Sequence, residues 1–258
     1  MILASLLPSR RRSTAATTIA ASRLRSVTRT HVGRVRAINE DRVFDRAARG
    51  LWAVADGMGG HAGGDIAAQR IVDSLQTLAD RPTRIDDDMI EAALNAAGRR
   101  IHTEASGSTR VSGSTVVALH IEQGAGMLLW AGDSRAYRAR DGGIEQLSRD
   151  HSLVQELVDS GALPRAMADR HPQAHVITRA LGAMPGAVIE RRAIDVRPGD
   201  LFLLCSDGLT RGGADPLLPG PAGDSLDAVA DALLANALAL GGADNISLVL
   251  IAVDHAPG

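Results

Sequence analysis

Two short turns constrain this chain more than any other feature. Gln123-Gly124-Ala125-Gly126 lies between apolar runs at 115–121 and 127–131, and Arg197-Pro198-Gly199-Asp200 lies between runs at 188–196 and 201–205. Both are built of turn-forming residues and are too short for a helical crossover, so the strands on either side are expected to run antiparallel. Further strand-like runs occur at 27–35, 51–55 and 246–253,. Helical spacing appears at Ala67, Ile71, Leu75 and Leu78, over 88–102, and at Leu226, Val229, Leu233, Ala237 and Leu240, where Ser225 is placed to cap the run and Gly241 to end it,. A helix with one apolar stripe must lay it on a sheet, so strand pairs with separate helix blocks predict an α+β layered sandwich and not a doubly wound parallel sheet. With 258 residues, 45% of them hydrophobic, the chain can bury a sizeable core,.

Composition removes several functions. The net charge is −2, and the basic residues are spread along the body, so there is no electrostatic footprint for nucleic acid,. All 28 basic residues are arginine, and without lysine neither a Walker-type phosphate loop nor a Schiff base can be built,. The single Cys205 excludes an internal disulfide framework and a multi-cysteine zinc site, which fits a reducing, cytoplasmic setting,. No stretch approaches the roughly 20 apolar residues of a membrane span. Residues 1–22 read as an unstructured basic tail, with Arg10, Arg11 and Arg12 among Ser, Thr and Ala,. The apolar run at 2–7 precedes those arginines and is too short for a secretory signal,.

Acidic residues stand where apolar strands stop. Leu51-Trp52-Ala53-Val54-Ala55 runs into Asp56-Gly57, and Leu201-Phe202-Leu203-Leu204-Cys205-Ser206 runs into Asp207-Gly208. The last strand is reversed, with Asp244-Asn245 at its beginning. If it pairs antiparallel with the strand at 201–205, Asp207 and Asp244 share one sheet end; Glu40-Asp41, placed in a first hairpin, could complete the group. Carboxylates gathered that closely repel one another and persist only around cations. An all-oxygen donor set selects Mg²⁺, Mn²⁺ or Ca²⁺ over zinc. Glycine after Asp56 lets the backbone come close enough to offer its carbonyl. Any one Asp-Gly is usually only a turn; three acids punctuating separate strands are not explained that way.

Seven segments occur in a telling order: Arg36-Ala37-Ile38-Asn39-Glu40-Asp41, Ala55-Asp56-Gly57-Met58-Gly59-Gly60, Gly113-Ser114-Thr115, Ala131-Gly132-Asp133-Ser134-Arg135, Asp150-His151-Ser152, Ser206-Asp207-Gly208-Leu209-Thr210 and Asp244-Asn245-Ile246-Ser247. Over about residues 30 to 254 they resemble the motifs of the PPM family, the type 2C serine/threonine phosphatases in their bacterial form. The resemblance implies a four-layer α-β-β-α sandwich with two central antiparallel sheets and a dinuclear Mn²⁺ or Mg²⁺ site at one edge. It implies that Asp56 bridges both ions, that Asp207 and Asp244 bind one, and that the Gly57 carbonyl and Glu40 serve the other, Glu40 through water. Asp41 would orient Arg36 or a metal-bound water, with Asn245 also behind the ligands, and Asp133 with Asp207 matches the place of a third, weaker ion. One phosphatase domain is expected over 23–256, with a variable flap at about 148–182 that influences substrate choice.

The reaction so implied is direct attack of an activated water on phosphoserine or phosphothreonine, with Arg36 gripping two phosphoryl oxygens and no protein nucleophile. The expected partners are phosphorylated proteins and a cognate serine/threonine kinase, and by analogy a secretion or envelope control system; the chain is expected to act as a monomer. The proton donor is left open, because Met58 stands where many eukaryotic relatives carry His, and His61 reads as a solvent-facing loop residue. Three other readings are weaker. Cys205 and Arg211 have the Cys-x5-Arg spacing of a thiolate phosphatase, but Asp207 would put a negative charge inside that cradle,. Gly57-x-Gly59-x-x-Ala62 resembles a dinucleotide loop, but no second parallel strand follows,. A non-catalytic phosphoprotein-binding module of the same fold should lack a metal carboxylate, and none of the central ones is missing. The loop at 211–216 is expected to be irregular.

Overall fold

A computed structural model describes residues 24–59, 63–106, 112–211, 216, 218 and 225–254. The basic tail at 1–22, His61 and most of the 211–216 loop lie outside the described residues. The strands are β1 (Leu24–His31), β2 (Asp41–Arg46), β3 (Leu51–Met58), β4 (Gly113–Ser114), β5 (Val116–Glu122), β6 (Ala125–Ala131), β7 (Arg135–Arg140), β8 (Gly143–Gln146), β9 (Glu190–Asp195), β10 (Leu201–Cys205) and β11 (Ile246–Val253). The helices are α1 (Gly63–Ala79), α2 (Asp87–Ala105), α3 (Leu153–Asp159), α4 (Asp207–Thr210) and α5 (Leu226–Ala239).

One sheet has the order β1-β11-β10-β7-β8 and the other β2-β3-β5-β6-β9, with β4 added beside β3. All these pairings are antiparallel. The side chains sort by the two-residue period of a strand. From β3, Trp52 and Val54 enter the layer between the sheets, while Leu51, Ala53 and Ala55 join Ile71, Leu75, Ile90 and Leu94 under α1 and α2. From β10 and β11, Phe202, Leu204, Val249 and Ile251 fill the middle, and Leu203, Leu248 and Leu250 meet Val229 and Leu233 of α5. Helices, sheet, sheet, helix: the four-layer sandwich is realised. Burial on both faces is why these strands read as unbroken apolar runs. Each aliphatic or aromatic side chain withdrawn from water in this way contributes about 1.5–3 kcal/mol.

The structure corrects several expectations. Gln123 and Gly124 form a two-residue turn, at φ +50° and +81°, joining the paired strands β5 and β6. The turn at 197–200, however, does not join paired strands; β9 pairs with β6 and β10 with β7 and β11, so this turn carries the chain from one sheet to the other. The first hairpin is β2–β3, turning at 47–50; β1 pairs instead with β11, and Glu40-Asp41 stands at the hairpin's entry, where the chain crosses from one sheet to the other. The strand at 51–55 continues to Met58, placing Asp56 inside it instead of at its end. Ser225 does cap α5, accepting from the Ala228 N–H at 3.1 Å.

Charged strands were missed. β2 reads Asp-Arg-Val-Phe-Asp-Arg and β7 reads Arg-Ala-Tyr-Arg-Ala-Arg, and neither has an apolar run. The arginines of β2 end on Gln69 and Gln76 of α1, and those of β7 on acids: Arg138 Nη1 lies 3.1 Å from Asp195 Oδ1 of β9, tying the two sheets together. Asp141-Gly142, at φ +52° and +79°, forms the tight β7–β8 turn and was the available signal,.

The inter-sheet turn depends on one buried acid. Asp200 is 1% exposed and accepts both Nε and Nη2 of Arg140 at 2.6 Å and the Arg197 N–H at 2.8 Å. Arg140→Ala would leave that carboxylate buried and unpaired, and is expected to lower the unfolding free energy by about 3–5 kcal/mol, read from urea denaturation. A loss under about 1 kcal/mol, the level of a surface pair, would contradict this account.

Candidate metal centre

Antiparallel pairing brings the distant acids to one end of the sandwich. Cys205 stands opposite Leu248, and the Ser206 N–H donates to the Ser247 carbonyl at 3.0 Å, so Asp207 follows the end of β10 where Asp244 precedes the start of β11. In the other sheet Asp41 is the cross-strand partner of Asp56. Asp133 lies on the link from β6 to β7, where the chain changes sheets. The segment at 32–40 adds Arg36 and Glu40.

Each acid is held by its surroundings. The Asp56 N–H donates to Thr115 Oγ1 at 3.2 Å, and its carbonyl accepts from the Thr115 N–H at 2.9 Å and from Ser114 Oγ at 3.0 Å. Asp41, 2% exposed, accepts Ser206 Oγ at 2.7 Å. Asn245 Oδ1 accepts the Glu40 N–H at 2.8 Å, while its Nδ2 donates to the Val32 and Ile38 carbonyls at 2.9 Å each, fixing the β1–β2 crossing to β11. At Gly57 a Cβ would meet the Gly64 carbonyl oxygen at 2.1 Å and that of Glu40 at 2.7 Å, so only glycine allows α1, β3 and Glu40 to meet there,.

The loop carrying Asp133 has a brace that sequence reasoning had assigned only to the flap. The Gly132 N–H donates to His151 Nδ1 at 3.1 Å, which leaves the proton on Nε2 to be donated to Glu190 at 2.9 Å,. Trp130 stacks on that imidazole with centroids 6.1 Å apart. Beside it, Arg135 Nη2 grips the buried Asp150 at 2.6 Å.

The electrostatics are those of negative charge short of counter-charge. Burial pushes Asp41 up to about 7, with Asp207 and Asp244 adding repulsion against the help of Ser206 and Ser247. Burial, then Asp207 and Asp150, lifts Asp133 to about 8. Asp56 is raised well above the carboxylate range by burial and then by Asp41, Asp207, Asp133 and Asp244. Asp207 is raised by burial, opposed by Arg211, and Glu40 is raised chiefly by burial.

Arginine supplies part of the missing charge. Arg211 Nη2 lies 2.8 Å from Asp244 Oδ2 and 3.1 Å from Asp207 Oδ2. Arg36 binds Asp244 through Nε at 2.8 Å and Nη2 at 2.9 Å, so it is Asp244, and not Asp41, that orients it. Among the described residues no three acidic, histidine or cysteine side chains close around a common point; the acids share a cleft in which two guanidinium groups intervene. Yet Asp41 Oδ1 and Asp133 Oδ1 are buried without a hydrogen-bond partner. Orphaned carboxylate oxygens, mutual repulsion and an all-oxygen donor set fit hard divalent cations.

A cavity of about 250 Å³ adjoins the acids, lined by Asp133, Asp207 and Arg211 on one side and by Gln155, Arg165 and His175 of the 148–182 segment on the other. The thiolate reading fails here. Cys205 is fully buried under α5, its thiol is pushed up to about 12 by burial, and Arg211 is engaged with the acids. The dinucleotide reading fails as well, since β3 is flanked only by antiparallel neighbours.

Comparison with known proteins agrees with this geometry. The family described as Protein phosphatase 2C matches residues 30–238. The serine/threonine protein phosphatase PstP of Mycobacterium tuberculosis is 36% identical over 239 residues, covering 88% of this chain and 44% of PstP, so the chain spans less than half the length of that relative. A serine/threonine phosphatase, stp, of Listeria monocytogenes is 31% identical over 243 residues, covering 88% of this chain and 94% of its own. Among solved structures, PppA, described as a key regulatory component of T6SS in Pseudomonas aeruginosa, shows 39% identity, a TM-score of 0.78 and coverage of 89% and 97% of the two chains. The catalytic domain of PstP with two manganese ions shows 33% identity and a TM-score of 0.78, with 90% and 98% covered.

Carboxyls raised by folding give a signed pH dependence. A raised carboxyl favours folding below its unfolded value near 4, and that contribution is lost as pH rises through the folded values, about 7 for Asp41 and about 8 for Asp133. The urea midpoint of chelator-treated protein should therefore fall between about pH 5 and 8.5, and Mn²⁺ should remove most of the fall by pairing with the ionised oxygens. A flat or rising midpoint in chelator would show that these acids are not short of counter-charge.

Proposed function

The chain belongs to the protein phosphatase 2C family, and we propose that it hydrolyses phosphoserine and phosphothreonine in proteins, using two divalent ions, Mn²⁺ or Mg²⁺, held by its buried acids. One observation carries the reading: Asp56 from one sheet and Asp207 and Asp244 from the other, remote in sequence, meet at one end of the sandwich with their negative charge only partly offset by Arg36 and Arg211. In this assignment Asp56 would serve both ions, Asp207 and Asp244 one, and Glu40 and the Gly57 carbonyl the other. Asp133 with Asp207 forms a third, weaker site, consistent with the orphaned Asp133 Oδ1. When bound, the ions supply an acidified water as nucleophile and positive charge facing the phosphoryl oxygens.

The chain's own residues do the rest. Arg36, half exposed at the cleft and anchored on Asp244, presents a planar fork suited to two phosphoryl oxygens,. Ser206 and Asn245 keep Asp41 and Glu40 in place. With Cys205 buried, the described cleft offers no thiol for covalent attack. We take 23–256 as one phosphatase domain with its flap at about 148–182, supported by the continuous layer between the sheets and by the cavity against α3. The natural partners are phosphoproteins and the kinase that modifies them, and we read the enzyme as a cytoplasmic monomer; no helix among the described residues is long and apolar enough to cross a membrane.

Hydrolysis of p-nitrophenyl phosphate should require Mn²⁺ and stop on adding chelator, with Asp207→Ala inactive and Cys205→Ser within about twofold of the parent in kcat/KM. Activity that survives metal removal, or is lost with the thiol alone, reverses the assignment. Arg36→Ala should lower kcat/KM about 100-fold, comparable to removing one charge-stabilising donor, while calorimetric Mn²⁺ stoichiometry stays unchanged. Unaltered kinetics would remove Arg36 from the phosphate site.

A further inference from the structure

Large aliphatic side chains stand exposed around the phosphate-binding arginine. Val35 is 71% exposed and Ile38 51%, and they bracket Arg36 in the chain. Isolated surface apolar residues are common, but two flanking the one arginine that is to hold the phosphate stand where a substrate would cover them.

The segment carrying Val35 and Ile38 is held as firmly as a strand end. The Gly33 N–H donates to His31 Nδ1 at 2.9 Å, the Arg34 N–H to the Gly242 carbonyl at 2.7 Å, and Asn245 holds the carbonyls of Val32 and Ile38. At Gly33, with φ +82°, a Cβ would lie 2.2 Å from the Asp244 carbonyl oxygen, so the backbone is pressed against the site itself. A rigid apolar surface loses little conformational entropy on binding. Its position relative to Arg36 says what binds. A phosphoresidue gripped by Arg36 belongs to a peptide advancing about 3.3–3.6 Å per residue, so its near neighbours come within reach of Val35 and Ile38.

Resting on the phosphatase reading above, we propose that Val35 and Ile38 form an aliphatic rim that seats an apolar side chain of the substrate, so that the enzyme prefers phosphoserine or phosphothreonine with an aliphatic residue within two or three positions. The contact is made equally in ground and transition states, so it acts on KM and leaves kcat alone.

The test uses the full chain with Mn²⁺ and two phosphothreonine peptides, identical except for leucine or serine at the second position on each side. The parent should favour the leucine peptide by about tenfold in kcat/KM, through KM, equivalent to ~1.4 kcal/mol. The double variant Val35→Ser/Ile38→Ser should raise KM for the leucine peptide to that of the serine peptide and leave p-nitrophenyl phosphate kinetics unchanged. No preference in the parent, a preference that survives in the variant, or an equal loss on p-nitrophenyl phosphate overturns the proposal. So does sedimentation showing a parent dimer that the variant abolishes while peptide preference persists, which would make the rim a self-association surface. Failure to hydrolyse any of the three substrates would refute the phosphatase reading itself, and this inference with it.

Discussion

Repulsion among buried carboxylates governs this structure. Asp41, Asp56, Asp133, Asp207 and Asp244 act on one another across a single cleft, and burial pushes at least four of them toward protonation. Two like charges 4 Å apart cost about 4 kcal/mol even at an effective dielectric constant near 20. Arg36 and Arg211 offset part of that on Asp207 and Asp244, and Ser206 offsets a little more on Asp41. Two oxygens are left with no partner. A fold that concentrates charge against its own stability in this way is built to take up cations, and the catalytic reading follows from what cations in such a place can do.

The scaffold holds the acids against that repulsion. β10 and β11 are buried on both faces, so the strand ends presenting Asp207 and Asp244 cannot splay without exposing core. At Gly208 a Cβ would lie 1.9 Å from the Asn245 carbonyl oxygen, a closeness that locks the start of α4 to the start of β11. Thr115 and Ser114 do the same for Asp56, and His151 for the loop of Asp133. The family motifs are thus mostly fastenings: only a minority of their residues face the cleft, and the remainder keep those few from moving apart.

A chain whose basic residues are all arginine uses one group for two purposes. Across the sandwich, Arg138 and Arg192 join strands of different sheets through Asp195 and Glu145, and Arg140 neutralises the buried Asp200. At the cleft, Arg36 and Arg211 meet acids that cations would otherwise claim. The planar fork serves both, since it binds carboxylate and phosphate with the same geometry. The aliphatic rim beside Arg36 adds what charge does not supply, a means of telling one phosphorylated segment from another.

Much of this was legible in the residues. Doubly buried strands announce themselves as apolar runs, the helices by their stripes, and Asp56, Asp207 and Asp244 by standing where such runs stop or begin. Periodicity could not reveal β2 and β7, whose arginines are satisfied by glutamines of α1 in β2 and by acids in β7, nor that the turn at 197–200 passes between sheets instead of joining a pair. It could not show that Arg36 rests on Asp244, that Arg211 stands between Asp207 and Asp244, or that His151 steadies Asp133. The order of residues determines which segments must be buried and which chemical groups are available, because hydrophobic spacing is local. Which acid faces which arginine, and which apolar side chains are left in water around them, was decided only when strands remote in the chain were brought side by side, because charge and contact act through space.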